Sequence, residues 1–201
     1  MNKPNVMNGV NLDDLFGTIE AIKESPSIAK FKFTAKNKWM RGGHNRTTIK
    51  DFYGACQTQV RDKAFVFDAD EPPVLLGEDQ GANPVEYALT ALAGCVTTAL
   101  VYHAAAKGIK IDEVESTLEG DLDLHGFLGL RDDVRNGYEG VNIKFKIKAD
   151  VPQEKLKEVL MLGPTFSPVY DIFTNAVPVK VMLDQDDMME KEMMDSGMMN
   201  E

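Results

Sequence analysis

The chain has 201 residues, 43% apolar and 27% charged, with 22 Lys and Arg against 32 Asp and Glu for a net charge of -10. That length and balance describe one sizeable globular domain with a real core, not a disordered tract. The acidic excess argues against a nucleic-acid or anionic-membrane surface, which needs clustered Lys and Arg, so neither is expected as a partner.

The opening "MNKPNVMNGVNLDDLF" has no apolar leader run, and residues 1–10 are expected to be disordered. Asn11 can cap an amphipathic helix, "LDDLFGTIEAIKE", that ends at Pro26. "KFKFTAK" alternates Phe31, Phe33 and Ala35 with Lys30, Lys32 and Thr34 and predicts a strand. "MRGGHN" predicts a turn and "RTTIKDFY" a second strand. "TQVRDKAFVFDAD" predicts two short strands or one hairpin around Arg61. The strands lie in a body spanning residues 30–183, preceded by an extension over 1–29 that holds the short helix.

"EPPVLLGEDQGA" is a loop by its Pro and Gly content, and it leads into "NPVEYALTALAGCVTTALVYHAAAKG", residues 83–108. The start chemistry there is complete. Asn83 suits the N-cap, Pro84 the first helical position and Glu86 the capping box, with Lys107 and Gly108 as the stop. The run is long enough to span a membrane, but it is rich in Ala and Thr and broken by Thr90, Gly94, Thr97, Thr98 and His103. A helix apolar on all sides in such a chain is one surrounded by protein.

"EVESTLEGDLDLH" and "VNIKFKIKADV" alternate cleanly, one with an acidic outer face and one with a basic outer face. They predict neighbouring antiparallel strands whose charges pair across the ladder. The intervening "GFLGLRDDVRNGYEG" is long for a hairpin loop and carries apolar residues. "QEKLKEVLML" is a helix, a short helix starts at Pro168, and "VPVKVML" predicts a last strand. The acidic, methionine-rich tail 184–201 is expected to be disordered. The class is therefore α+β with mainly antiparallel sheet. A central apolar helix with few other helices to cover it calls for a homodimer.

Cys56 and Cys95 have no metal-ligand spacing, so no disulfide scaffold, metal or cofactor is expected. A reducing, cytoplasmic compartment is the default. Cys95 is either a small core residue or a reactive thiol. The helix dipole acts at the first turn and gives little help at mid-helix. Activating Cys95 therefore needs a cation from elsewhere, and the "RGGHNR" turn offers Arg41, His44 and Arg46. Glu86 lies nine residues from Cys95, on the opposite helix face and about 13 Å away. It acts on its own helix as a cap, holds the turn's arginine, or serves a partner chain. His103 reads as a satisfied core or interface histidine. Cys56 reads as a strand-edge thiol that meets Cys95 only across an interface.

"GEDQGANPVEYALTALAGCVTTALVYHAAAKGIKID" and "SPVYDIFTNAVPVKV" together resemble the OsmC/Ohr family, named for osmotically inducible protein C and organic hydroperoxide resistance. The resemblance runs over about residues 30–183. It implies an α+β fold of antiparallel sheets wrapped around two long central helices in an intertwined homodimer. It also implies a helix cysteine, here Cys95, that attacks an organic hydroperoxide in oxidative stress defence. A catalytic arginine in or near the turn is implied as well, assigned here to Arg46 with Arg41 and His44 beside it, and Glu86 as the helix-start carboxylate. The family's second cysteine is replaced by Ser167, which cannot form a disulfide. The expected activity is thus a one-cysteine peroxidase regenerated by an external thiol. The alternatives are a non-catalytic dimer holding an apolar or acyl ligand in the interface pocket and a purely structural dimer.

Overall fold

The computed structural model describes residues 5–183. The chain divides into two compact units, residues 1–171 and 172–201. The tail over 184–201, expected to be disordered, lies outside the described residues.

Residues 5–11 correct the expectation of disorder. β1 (Val6–Met7) and β2 (Val10–Asn11) pair antiparallel around Asn8 and Gly9, at φ 51 and 79. Asn-Gly is the pair that accepts such a turn at least cost. The Asn8 side chain then donates to Ile109 O and accepts from Ile111 N, both at 2.9 Å. Val10 and Leu12 are buried with Ala105. Local polarity suggested disorder; long-range hydrogen bonds and burial of two apolar side chains override it. Helix α1 (Leu12–Glu24) starts as read, with Asn11 Oδ1 accepting from the Asp13 N–H at 3.1 Å.

The next strands differ in their bounds. β3 (Ala35–Arg41) begins where the predicted strand ends and runs through the only Trp of the chain. β4 (His44–Ile49) and β5 (Phe52–Gly54) split the predicted second strand. The break falls at Lys50-Asp51, where Asp51 and the Lys50 carbonyl hold Arg61 at 3.0 and 2.6 Å. β6 (Gln57–Gln59) and β7 (Phe65–Ala69) do not form a hairpin together. β6 turns back on β5, and β7 pairs with β4 in the order β3-β4-β7, all antiparallel. Alternation misplaces the first strand, since Lys32 makes only an isolated bridge to Tyr53, and partner choice depends on chain reversals that alternation does not encode.

The long helix α2 (Pro84–Ala106) carries the predicted caps. The Asn83 side chain accepts from Val85 N at 2.9 Å, and Glu86 accepts from Asn83 N at 2.8 Å. β8 (Ile111–Asp121) and β9 (Gly140–Ala149) form the expected antiparallel pair, with Glu115 opposite Lys146. Lys146 bridges Glu113 and Glu115 at 2.9 and 3.2 Å, and Lys144 meets Glu119 at 3.1 Å. The loop between them carries the short α3 (Leu124–Phe127). α4 (Leu156–Phe166) and α5 (Pro168–Thr174) follow. Residues 175–183 form no strand: alternation at Val177, Val179 and Val181 supplies a face but no ladder partner, and all three side chains are exposed.

The core lies along one flank of α2. Leu92, Val96, Leu100 and Ala104 are buried where α2 packs on α4 and β8. Gly163 makes the α4 contact close: a Cβ there would meet Val96 Cγ1 at 2.7 Å. The opposite flank is different. Glu86, Thr90, Gly94, Thr98 and Tyr102 recur every fourth residue and are all exposed. A surrounded helix was expected, and one chain covers only half of it. Among the described residues α2 alone is long and apolar enough to cross a membrane.

Candidate active site

The "RGGHNR" turn joins β3 to β4, and the β4–β7 register decides what its side chains meet. Arg46 stands directly opposite Asp68. Its Nε and Nη2 donate to Asp68 Oδ1 and Oδ2 at 2.8 and 3.1 Å, a two-pronged guanidinium–carboxylate contact. His44 Nε2 lies 2.8 Å from the same Oδ1. Those bonds hold the Asp68 carboxyl below the usual carboxylate range and push Arg46 upward. Two of the predicted side chains therefore converge on one carboxylate.

Asp68 was not among the residues picked out in the sequence. Alternation alone puts Val66, Asp68 and Asp70 on one side of their segment, and only the β4–β7 register sets Asp68 opposite Arg46. Asp70 was missed too. It is buried at 2% exposure, and its carboxylate accepts the backbone N–H groups of Glu71, Glu78 and Gln80 at 2.8, 3.1 and 3.2 Å. Asp followed by a Pro-containing loop is the pattern in which a carboxylate folds a loop around itself. Arg41 pairs with Glu78 across that loop. Arg41, Gly43, His44, Asp70, Gly77 and Glu78 line a cavity of about 260 Å³.

Burial works to raise the Asp70 pKa, but the three N–H donors and the nearby His44 outweigh it, and the carboxyl titrates below its ordinary value. A depressed folded pKa contributes stability that is fully present above the unfolded value of about 4 and is lost as pH falls through the folded one. Asp70→Asn replaces one acceptor oxygen with an NH₂ among donors. It is expected to lower Tm at pH 7, with the gap to wild type closing below about pH 4. Thermal melts from pH 3 to 7 check this; a gap that does not change with pH counts against it.

The head of α2 adjoins this cluster. Tyr87 donates to Asp68 O at 2.8 Å and stacks edge-on against Phe67 at 6.1 Å. Tyr138 donates to Val85 O at 2.8 Å, and burial, then the Glu86 charge, raises its pKa. Glu86 is thus both cap and exposed carboxylate at the helix mouth. Cys95 sits further down the helix, half-buried; it and Cys56 are free thiols. Neither Cys95 nor Glu86 lines the cavity. Within one chain, then, the structure gathers Arg41, His44 and Arg46 but does not bring them together with the thiol.

The remaining residues fall to structural roles. Ser167 is buried, and its Oγ accepts from Tyr170 N at 3.1 Å, capping α5. His103 stacks on Phe166 with ring centroids 3.7 Å apart, and burial, then Lys107, lowers its pKa. Cys56 is exposed at the β5–β6 turn at φ 61. Among the described residues no cluster of three or more His, Cys, Asp or Glu is placed to hold a metal.

The family model described as "OsmC-like protein" matches residues 77–182, more than half of the chain. The chain belongs to the OsmC-like family. Solved structures share its fold. An OsmC-like protein from Mycoplasma pneumoniae is 16% identical, covering 72% of this chain and 89% of its own, with a TM-score of 0.56. An organic hydroperoxide resistance protein OsmC from Legionella pneumophila is 22% identical, covering 76% and 96%, with a TM-score of 0.53. An OsmC-like protein of unknown function from Vibrio cholerae is 12% identical, covering 70% and 92%, with a TM-score of 0.53. No curated protein matches the chain. The fold read from α2 and the β8–β9 pair is thus an OsmC-like fold of helices and antiparallel sheet. The family match begins at Gly77 and so omits the turn and strands that carry His44, Arg46 and Asp68.

Proposed function

We propose that this OsmC-like chain is a thiol-dependent organic hydroperoxide reductase that works as a cytoplasmic homodimer. The observation that carries the reading is the half-buried free thiol of Cys95 on a helix whose opposite stripe is open from Glu86 to Tyr102. Gly94 has nothing within 4 Å of where a Cβ would stand, so a second helix can approach closely there. Two α2 helices packed antiparallel, with their crossing between Thr90 and Ala91, would set Cys95 level with Glu86 of the partner subunit. The His44–Arg46–Asp68 cluster packs beside that helix start. A composite site explains why the cations and the thiol are separate within one chain.

In this reading the Cys95 thiolate attacks the distal oxygen of ROOH. The S–O bond forms as the O–O bond breaks, and ROH leaves with a proton, giving the Cys95 sulfenic acid. Arg46, with His44 beside it on Asp68, supplies positive charge for the thiolate and the departing oxygen. An external thiol then attacks the sulfenic sulfur, releasing water. A second external thiol frees Cys95 as the disulfide leaves. Ser167 cannot take the resolving step, and its bond to Tyr170 commits it to a cap.

The test is turnover of cumene hydroperoxide with dithiothreitol by wild type, Cys95→Ser and Cys56→Ser. Cys95→Ser is expected to fall to the uncatalysed background, with dimedone trapping a sulfenic acid only where Cys95 is present, and Cys56→Ser to remain active. Equal rates for wild type and Cys95→Ser would refute the enzyme reading. Loss in both variants would make Cys56 the resolving thiol.

A further inference from the structure

The net charge of -10 hides a sharp segregation. Residues 30–63 carry nine Lys and Arg against two Asp, a net +7, of which Arg41 and Arg46 are already paired with Glu78 and Asp68 outside the segment. The same segment exposes an aromatic cluster. Phe31, Phe33 and Phe52 stack on one another with centroids 5.3–6.2 Å apart. The Arg61 guanidinium lies 4.8 Å from the Phe52 centroid and 5.3 Å from that of Phe65. Yet Phe31 is 52% and Phe33 68% exposed. Contiguous aromatic surface rimmed by charge is the signature of a docking site. The acidic remainder of the chain disfavours a polyanion as long as nucleic acid.

The sequence itself contains a segment of matching chemistry. Residues 184–201 carry seven Asp and Glu against one Lys, and six of the chain's 11 methionines in three adjacent pairs. Carboxylates complement the lysines. Thioethers are flexible, polarisable and favour aromatic ring edges, so methionine suits a ring cluster of irregular shape. The Met pairs recur every five residues, with acidic residues between them.

We propose that the Phe31–Phe33–Phe52 patch with its flanking lysines is a docking surface for the acidic, methionine-paired segment 184–201 of a second copy of the chain. The proposal rests on the homodimer reading above for the presence of that second copy. Docking would shield the exposed rings and neutralise the excess positive charge around them.

The test uses the full chain, ¹⁴N- and ¹⁵N-labelled protein unfolded together and refolded as an equal mixture, coupled with a zero-length carbodiimide and read by mass spectrometry, with the solution mass measured in parallel by light scattering. Links between Lys32, Lys36 or Lys38 and carboxylates of 184–201 are expected, with mixed-isotope pairs among them. Phe33→Ser combined with Lys36→Glu, both at exposed positions, is expected to cut the remaining links roughly tenfold while leaving far-UV circular dichroism unchanged. Dimeric mass with no such links, or with same-isotope links only, overturns the docking and leaves the dimer standing. Monomeric mass overturns both.

Discussion

Gly94→Leu is expected to reduce the solution mass from dimer to monomer and to remove peroxidase turnover with it. Gly94 lies on the exposed stripe of α2, and a Cβ there meets nothing within 4 Å in one chain. The substitution therefore disturbs no contact of the isolated fold. It even favours the helix, since Leu exceeds Gly in helix propensity by about 0.8–1 kcal/mol. Its cost falls entirely on a second helix approaching that stripe. Light scattering and the cumene hydroperoxide assay, run on the same sample, read the two consequences. Monomeric mass with full turnover would show that the site is complete in one chain. Unchanged dimeric mass would show that α2 does not form the interface.

That experiment matters because one chain leaves so much apolar surface unaccounted for. On the three-stranded sheet, Trp39, Phe65 and Phe67 share the face that also bears Ala35 and Ile49, and the three aromatic side chains are exposed at 69, 55 and 40%. Period-two alternation exists to bury one face. Here the pattern is intact, and the described residues leave those three rings exposed. The open stripe of α2 shows the same imbalance, and the sheet face and the helix stripe are both surfaces that the proposed dimer would cover.

The sequence was most legible where structure is determined locally. Asn83, Pro84 and Glu86 announced the α2 start because a cap is made within four residues. β8 and β9 announced their pairing because complementary charges sit at matching intervals on each outer face. Legibility failed where distant segments decide. Asn8 looked like part of a loose terminus, and only its bonds to Ile109 and Ile111, 101 and 103 residues away, fix it. Asp68 could be found only through the β4–β7 register. "VPVKVML" alternates as a strand must, yet alternation does not specify who pairs with it. For the candidate site, the cationic turn and Cys95 were legible one by one. The carboxylate that organises the turn was not.

That carboxylate depends on a glycine. A Cβ at Gly81 would lie 1.8 Å from the Asp68 carbonyl oxygen and 2.4 Å from its carbon. These are backbone atoms of β7, next to the bridge between Ala69 and Ala82, so no side-chain rotation relieves the clash. Gly81→Ala is therefore expected to destabilise the fold by about 1–3 kcal/mol or more. It should also displace Asp68 from Arg46 and His44. The His44 ring resonances, followed by NMR at fixed pH, should shift, whereas simple loss of stability would leave the folded-state resonances in place. Gly17→Ala gives the contrast: Gly17 lies inside α1 with nothing within 4 Å, so alanine there should stabilise by up to about 1 kcal/mol. Urea unfolding of the two variants should move in opposite directions. If Gly81→Ala matched wild type in both stability and His44 ring resonances, the 69–82 junction would not be what holds the cluster on Asp68 in place.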